Sequence, residues 1–202
     1  MLFRSTEAPI DSPRSKTVSM DKEQAMVMLG FHAPDISSSD RYGVEVLTNI
    51  LGSTFSGRLF GTIREELGKA YTLGGNYVPG IDAGFVYFYV LTTNENIDKV
   101  VELLKNEISK IQKGMLADKE LKDIQTYLKG NQKDDLQTNS ALNFTASLDE
   151  LYGLGFKAYK EYDQKIDTVT KKDINRLAET YLDLNKSVLI ITHSQGLKNE
   201  SK

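Results

Sequence analysis

The chain has 202 residues, 40% of them hydrophobic and 26% charged, the balance of a soluble globular protein with enough apolar side chains for one ordinary core. The formal net charge is −3 and the basic residues are scattered, which argues against a nucleic-acid binder with a clustered positive field. Without cysteine neither a disulfide framework nor a thiolate metal site can form, and no apolar run is long enough to span a bilayer.

MLFRSTEAPIDSPRSK, at 1–16, lacks the apolar stretch of a signal peptide and carries two prolines and several polar residues. It reads as the start of a linker or N-terminal arm over 1–22, followed by a domain over 23–194 and a tail over 195–202. QAMVMLGF, at 24–31, is short and apolar and predicts a strand. Ser38, Ser39 and Asp40 supply N-cap chemistry for a helix through Val44, Leu47, Ile50 and Leu51, stopped near Gly52. A second helix is expected over 56–67, with Leu59, Phe60 and Ile63 on one face and Gly68 as its stop. Two extended segments, 70–78 and 85–93, flank the turn-forming PGIDAG and predict an antiparallel hairpin.

From Asn94 the period changes to helical. Ile97, Val100, Val101, Leu104, Ile108 and Ile111 form one stripe, stopped by Gly114. Leu121, Ile124 and Leu128 carry the next helix, and Ala141, Leu142, Thr145, Leu148 and Tyr152 another. Thr170 caps a further helix through Ile174, Leu177, Ala178 and Tyr181, and SVLIIT at 187–192 is a buried strand by composition. The order predicts an α+β fold with one sheet and helices over one face. FVYFYV, at 85–90, is apolar on both parities, so an aromatic row of Phe85, Tyr87 and Tyr89, or Phe88 on the opposite parity, should face something beyond the domain's own helices. Tyr77, in the neighbouring strand, is expected to join that surface.

Most candidate chemistry is weak. His32 and His193 lie at opposite ends of the chain, and the spacings His-Glu-x-x-His and His-x-x-Glu-His are absent, so no zinc site is expected in this chain. GLGFKA, at 153–158, imitates a dinucleotide fingerprint but follows a helical stripe rather than a strand, which favours glycines ending a helix. Asn143-Phe-Thr145 is a glycosylation sequon inside a predicted helix. The pairs Glu65–Glu66 and Asp134–Asp135 read as solvated helix surface. One constellation remains: Arg64 near the end of a short helix and Tyr71 at the start of the next strand, with Gly68 between. Arginine offers a rigid fork of donors for a peptide carbonyl or carboxylate, and a tyrosine hydroxyl can donate to a developing oxyanion. On residue chemistry alone both are also common structural residues.

The stretch that carries them, SGRLF at 56–60 and REELGKAY at 64–71, resembles the Ser…Leu-Phe and Arg-Glu-x-x-Gly-x-Ala-Tyr sequence of the C-terminal homologous domain of the pitrilysin/insulinase family of zinc metallopeptidases, which includes the mitochondrial processing peptidases. IDTVTKKDINRLAETYL, at 166–182, is similar to that family's closing helix after a Val-Thr cap, and the order of elements agrees from about Met26 to Thr192. The resemblance implies a two-layer α/β sandwich of the LuxS/processing-peptidase-like metallohydrolase type, with one mostly antiparallel sheet and helices on one face. It implies that two homologous domains, in one parent chain or two subunits, close around a chamber. One would bind zinc and activate water; the other, without cofactor of its own, would contribute Arg64 and Tyr71 to peptide binding and carbonyl polarisation. Tyr77, Tyr87 and Tyr89 would line the substrate side. The chain alone would be inactive. The alternatives are a non-catalytic assembly subunit of the same fold and a peptide-binding module that uses a sheet edge.

Overall fold

A computed structural model of the chain describes residues 9–22, 24–53, 57–67 and 72–194, the side chains of 64–67 and 194 excepted. In these residues five strands and seven helices follow in the order β1 (Arg14–Met20), β2 (Ala25–Ala33), α1 (Arg41–Gly52), α2 (Arg58–Leu67), β3 (Leu73–Val78), β4 (Gly84–Thr92), α3 (Ile97–Gln112), α4 (Asp118–Asp135), α5 (Asn139–Leu151), α6 (Tyr162–Asp167), α7 (Lys171–Tyr181) and β5 (Ser187–Ser194). The sheet runs β1-β5-β2-β4-β3. Only β1 and β5 pair in parallel; the other three ladders are antiparallel. This is the α+β class expected from the sequence, with the helices over one face.

Strand periodicity decides which face that is. On β2, Val27, Leu29 and Phe31 are buried; opposite them on β4 stand Val90, Phe88 and Val86, buried likewise. Against this row pack Val44, Leu47, Ile50 and Leu51 of α1 and Val100, Leu104, Ile108 and Ile111 of α3. Both helices show one apolar stripe at a spacing of three and four residues, which is why each buries one side.

Helix ends follow local chemistry in part. Thr170 and Asp173 form a reciprocal capping box at the start of α7, and Thr138 Oγ1 accepts from the Ala141 amide to begin α5. Gly114 stops α3 at a φ of 73°, a conformation that costs a glycine nothing. Gly153 and Gly155 have φ of 76° and 86° just beyond α5, so the GLGFKA stretch is a helix exit. The orphan carbonyls at other helix ends are met by distant amides: Gln112 Nε2 donates to Ala178 O and Leu182 O, and Gln125 Nε2 to Ile166 O and Val169 O.

Two features near the start of the chain differ from the sequence expectation. The linker or arm expected over 1–22 contains β1, paired with β5 from Arg14↔Val188 to Met20↔Ser194 and exposed along its whole length. RSKTVSM shows no buried alternation, so its pattern carries no strand signal. Asp40 occupies the N-cap position of α1 but makes no side-chain cap bond. Its carboxylate instead accepts from Arg176 Nη2 at 2.7 Å, Arg176 Nη1 at 3.2 Å and the Tyr181 hydroxyl at 3.1 Å, tying the start of α1 to α7.

The bonds from Arg176, and less strongly that from Tyr181, hold the Asp40 carboxyl below its usual range. A depressed carboxylate stabilises the fold fully above its unfolded pKa, near 3.9, and that contribution is lost as pH falls through the lower folded value. Arg176 is half exposed, so solvent screens the pair and the expected size is only about 0.5–1 kcal/mol. Asp40→Asn should therefore lower the urea midpoint at pH 7, with the gap to the parent protein narrowing steadily towards pH 3. Equal losses at both pH values would mean that packing, not charge, is what Asp40 supplies.

Candidate functional site

The segment expected to carry the chemistry begins in α2, which is clamped from both sides. Arg58, at its first residue, reaches Glu120 at the start of α4 through Nη2 at 2.7 Å and through Nε, and it donates also to Met115 O. One turn on, Thr62 Oγ1 donates to the buried Glu107 of α3 at 3.1 Å. Leu59 and Ile63 are buried on the inner side. A helix fixed by a bidentate ion pair, a buried carboxylate and an apolar face is a rigid mount for what its far end carries. Arg64 lies in its last turn. Tyr71 falls outside the described residues, immediately before Thr72, whose carbonyl accepts from the Leu91 amide at 2.8 Å and joins this point of the chain to β4. The Glu65–Glu66 side chains also lie outside the described set, whereas Asp134 and Asp135 are exposed.

The aromatic row splits by parity. Phe88 is fully buried among the core side chains, whereas Phe85 is 49% exposed on the other face. Phe85 stacks on Tyr87 with ring centroids 5.9 Å apart, and Tyr87 leans on Tyr89 at 6.2 Å. Asn76 Nδ2 donates to the Tyr87 hydroxyl at 3.2 Å, and Tyr89 lies over Gly74, where an added Cβ would stand 2.9 Å from its ring. By register the same face carries Met28 and His32 of β2, Val188 and Ile190 of β5, and Val18 of β1. The described helices pack on the opposite side, so this face forms an open, largely apolar wall.

Tyr77 does not belong to that wall. It stands opposite Val86, on the helix-covered face, half-buried, with its hydroxyl donating to Pro34 O at 2.8 Å. Burial pushes its phenol well above the ordinary tyrosine range, so it remains a neutral donor. The structure therefore brings Tyr87 and Tyr89 together and places Tyr77 on the other side of the sheet. Alternate residues of one strand point to opposite faces, and Tyr77 is one residue off the parity of Asn76.

Tyr77 instead lines a cavity of about 480 Å³ between β3, α1 and the far end of the helical layer. Glu45 and Arg41 of α1, Asp149 of α5 and Tyr162 at the start of α6 reach it. Sequence reading passed over Glu45, although a carboxylate inside the apolar run of α1 was a usable signal.

The two histidines do not meet. His32 stands opposite Phe85 on the open face, and His193 lies one residue beyond Thr192, whose side chain shares that open face; His193 therefore has the other parity. Their strands are antiparallel neighbours, so they sit at opposite ends of the sheet, about 20 Å apart at the rise of a strand. Among the described residues no three His, Asp or Glu side chains converge on a metal-holding position. The donors placed among those residues do not fit a zinc ion.

Residues 3–128 match the model of a protein family described as the Peptidase M16 inactive domain. Over 192 residues the chain is 25% identical to YmxG of Bacillus subtilis (strain 168), described as an uncharacterized zinc protease; the match covers 95% of this chain and 47% of that protein. The chain thus spans about half the length of that relative. The crystal structure of a protease from Helicobacter pylori superposes with a TM-score of 0.85 over 94% of this chain and 46% of its own, at 19% identity. A chain of Complex III2 from Candida albicans superposes with a TM-score of 0.77 over 89% of this chain and 45% of its own, at 15% identity. Both structural likenesses establish the fold.

Proposed function

Because the chain belongs to the Peptidase M16 inactive domain family, whose relatives are named zinc proteases, we propose that it is the substrate-side half of a zinc endopeptidase. It works with a homologous zinc-bearing domain, in the same parent chain or in a partner subunit. Arg64 anchors the peptide backbone, and Tyr71 donates a hydrogen bond to the scissile carbonyl oxygen as negative charge develops there. The observation that carries the reading is REELGKAY itself: its arginine lies in the last turn of a helix locked to α3 and α4, and its tyrosine stands two residues before a strand of the sheet. A fixed mount is what a group needs if it is to meet a transition state without reorganising.

The open wall supports a partner. Phe85, Val78, Met20 and Val18 are all exposed on it, apolar side chains that a partner domain would cover. A relative about twice as long has material to cover it. Tyr87 and Tyr89 are assigned to this wall, where peptide or partner is met; Tyr77 is not. The likeness to a Complex III2 chain favours a second reading, a non-catalytic assembly subunit.

Arg64 separates the two. In the complete assembly with its zinc-bearing half, Arg64→Ala should raise KM for a peptide about tenfold or more, since one good charge-assisted contact contributes roughly 1.5–3 kcal/mol. Arg64→Lys should recover part of the loss, because a point charge cannot reproduce the planar fork. An assembly that cleaves peptide with unchanged KM after Arg64→Ala, or one that never cleaves peptide, would leave the assembly-subunit reading in possession.

A further inference from the structure

The cavity behind β3 has a chemistry that the peptidase reading does not use. Its walls are tyrosine rings, Tyr42, Tyr77, Tyr159 and Tyr162, and its charged groups are three carboxylates, Glu45, Asp135 and Asp149, against the single guanidinium of Arg41. That guanidinium is already engaged: Nη1 donates to Ile36 O at 2.7 Å, Nη2 donates to the Tyr42 hydroxyl, and its carbon sits 4.4 Å from the Tyr42 ring centroid. Glu45 accepts from the Tyr162 hydroxyl through Oε1 at 2.6 Å, and Asp149 accepts from the Tyr159 amide through Oδ2 at 3.2 Å. Their second oxygens, Glu45 Oε2 and Asp149 Oδ1, take no hydrogen bond from any described residue.

We propose that this cavity binds an organic ammonium group, its N–H donors shared between Glu45 and Asp149 and its carbon body held against the tyrosine rings. An ammonium brings three donors and no acceptor, the complement of two free carboxylate oxygens. Aromatic faces attract the same charge, and the volume suits a small ligand or one long side chain. An anion would meet three carboxylates and one guanidinium, two of whose five N–H donors already go to Ile36 O and the Tyr42 hydroxyl.

Stability argues the same way. Burial pushes both Glu45 and Asp149 above their usual carboxylate range, against the opposing pull of Arg41, so holding either group ionised costs the fold free energy. For a raised carboxyl, stability declines as pH climbs from the unfolded pKa through the folded one. Groups that weaken a fold in this way are characteristic of ligand sites, where a bound counter-charge offsets the cost.

The ammonium can come from a free amine or from a lysine side chain, and two probes distinguish them: benzylamine and Nα-acetyl-lysine methylamide. Calorimetric titration of the full chain at pH 7.5 should show saturable binding of at least one. The winner identifies the source. Benzyl alcohol, benzoate and the Nε-acetylated lysine derivative should bind at least about tenfold more weakly. Glu45→Gln and Asp149→Asn should each weaken the amine about tenfold or more. Glu45→Gln keeps an oxygen for Tyr162 and should melt no lower than the parent chain at pH 7.5, so lost binding cannot be charged to misfolding. The proposal fails if neither amine saturates by about 20 mM, if benzoate or benzyl alcohol binds as well, or if both folded variants bind the amine like the parent.

Discussion

Gly52→Ala should lower the unfolding free energy by about 2–4 kcal/mol, although alanine is the better helix former by roughly 1 kcal/mol. Gly52 closes α1 against β3, and a Cβ there would stand 2.5 Å from both the Cα and the N of Gly75. Those are backbone atoms with no rotamer to change. Gly75 cannot retreat either, because Phe88 lies close on its side: a Cβ on Gly75 would meet the Phe88 ring at 2.6 Å. Helix and strand must therefore separate by about an ångström, opening the contact between α1 and the sheet edge next to the site. Gly130 provides the opposite sign. It lies within α4 with nothing within 4 Å of an added Cβ, so Gly130→Ala should stabilise by about 0.5–1 kcal/mol. Urea titrations of the two variants test the pair; a Gly52→Ala midpoint equal to the parent's would show that the α1–β3 contact yields freely.

Tyr71→Phe should lower kcat for peptide cleavage by about a hundredfold, near 3 kcal/mol of transition-state stabilisation, in the assembly that includes the zinc-bearing half. The change removes one hydroxyl and keeps the ring, so folding and assembly should stay intact. A donor that strengthens mainly as charge develops on the carbonyl oxygen affects kcat more than KM, the reverse of the pattern expected for Arg64. Single-turnover rates with saturating peptide isolate the chemical step. An unchanged kcat in a folded, assembled protein would remove Tyr71 from the reaction and return REELGKAY to a structural role.

Much of this architecture was legible from the residues. Apolar spacing gave the stripes of α1, α3 and α7, Gly114 stopped α3 where expected, and Thr170 capped α7 with Asp173 as partner. Local rules govern those features, because a helix stripe or a cap depends on neighbours within four residues. The double apolarity of FVYFYV matches a strand with one face in the core and an apolar row on the other. Register then assigned Phe88 to the core and Phe85, Tyr87 and Tyr89 to the open wall.

The sequence by itself determined the class of fold, the ends of α3 and α7, and the segment REELGKAY by which the chain resembles its family. Tertiary structure decided what depends on distant partners. β1 became a strand only because β5 offered a free edge, since RSKTVSM has no burial pattern of its own. Asp40 left its capping role because Arg176 and Tyr181, 136 and 141 residues away, supply stronger donors than a helix amide. Tyr77 turned from the wall to the cavity because a strand's parity is fixed by its neighbour's register. Glu45 met Tyr162 across 117 residues, and only the packing of α1 against α6 could bring an ionisable group and a tyrosine-lined cavity together.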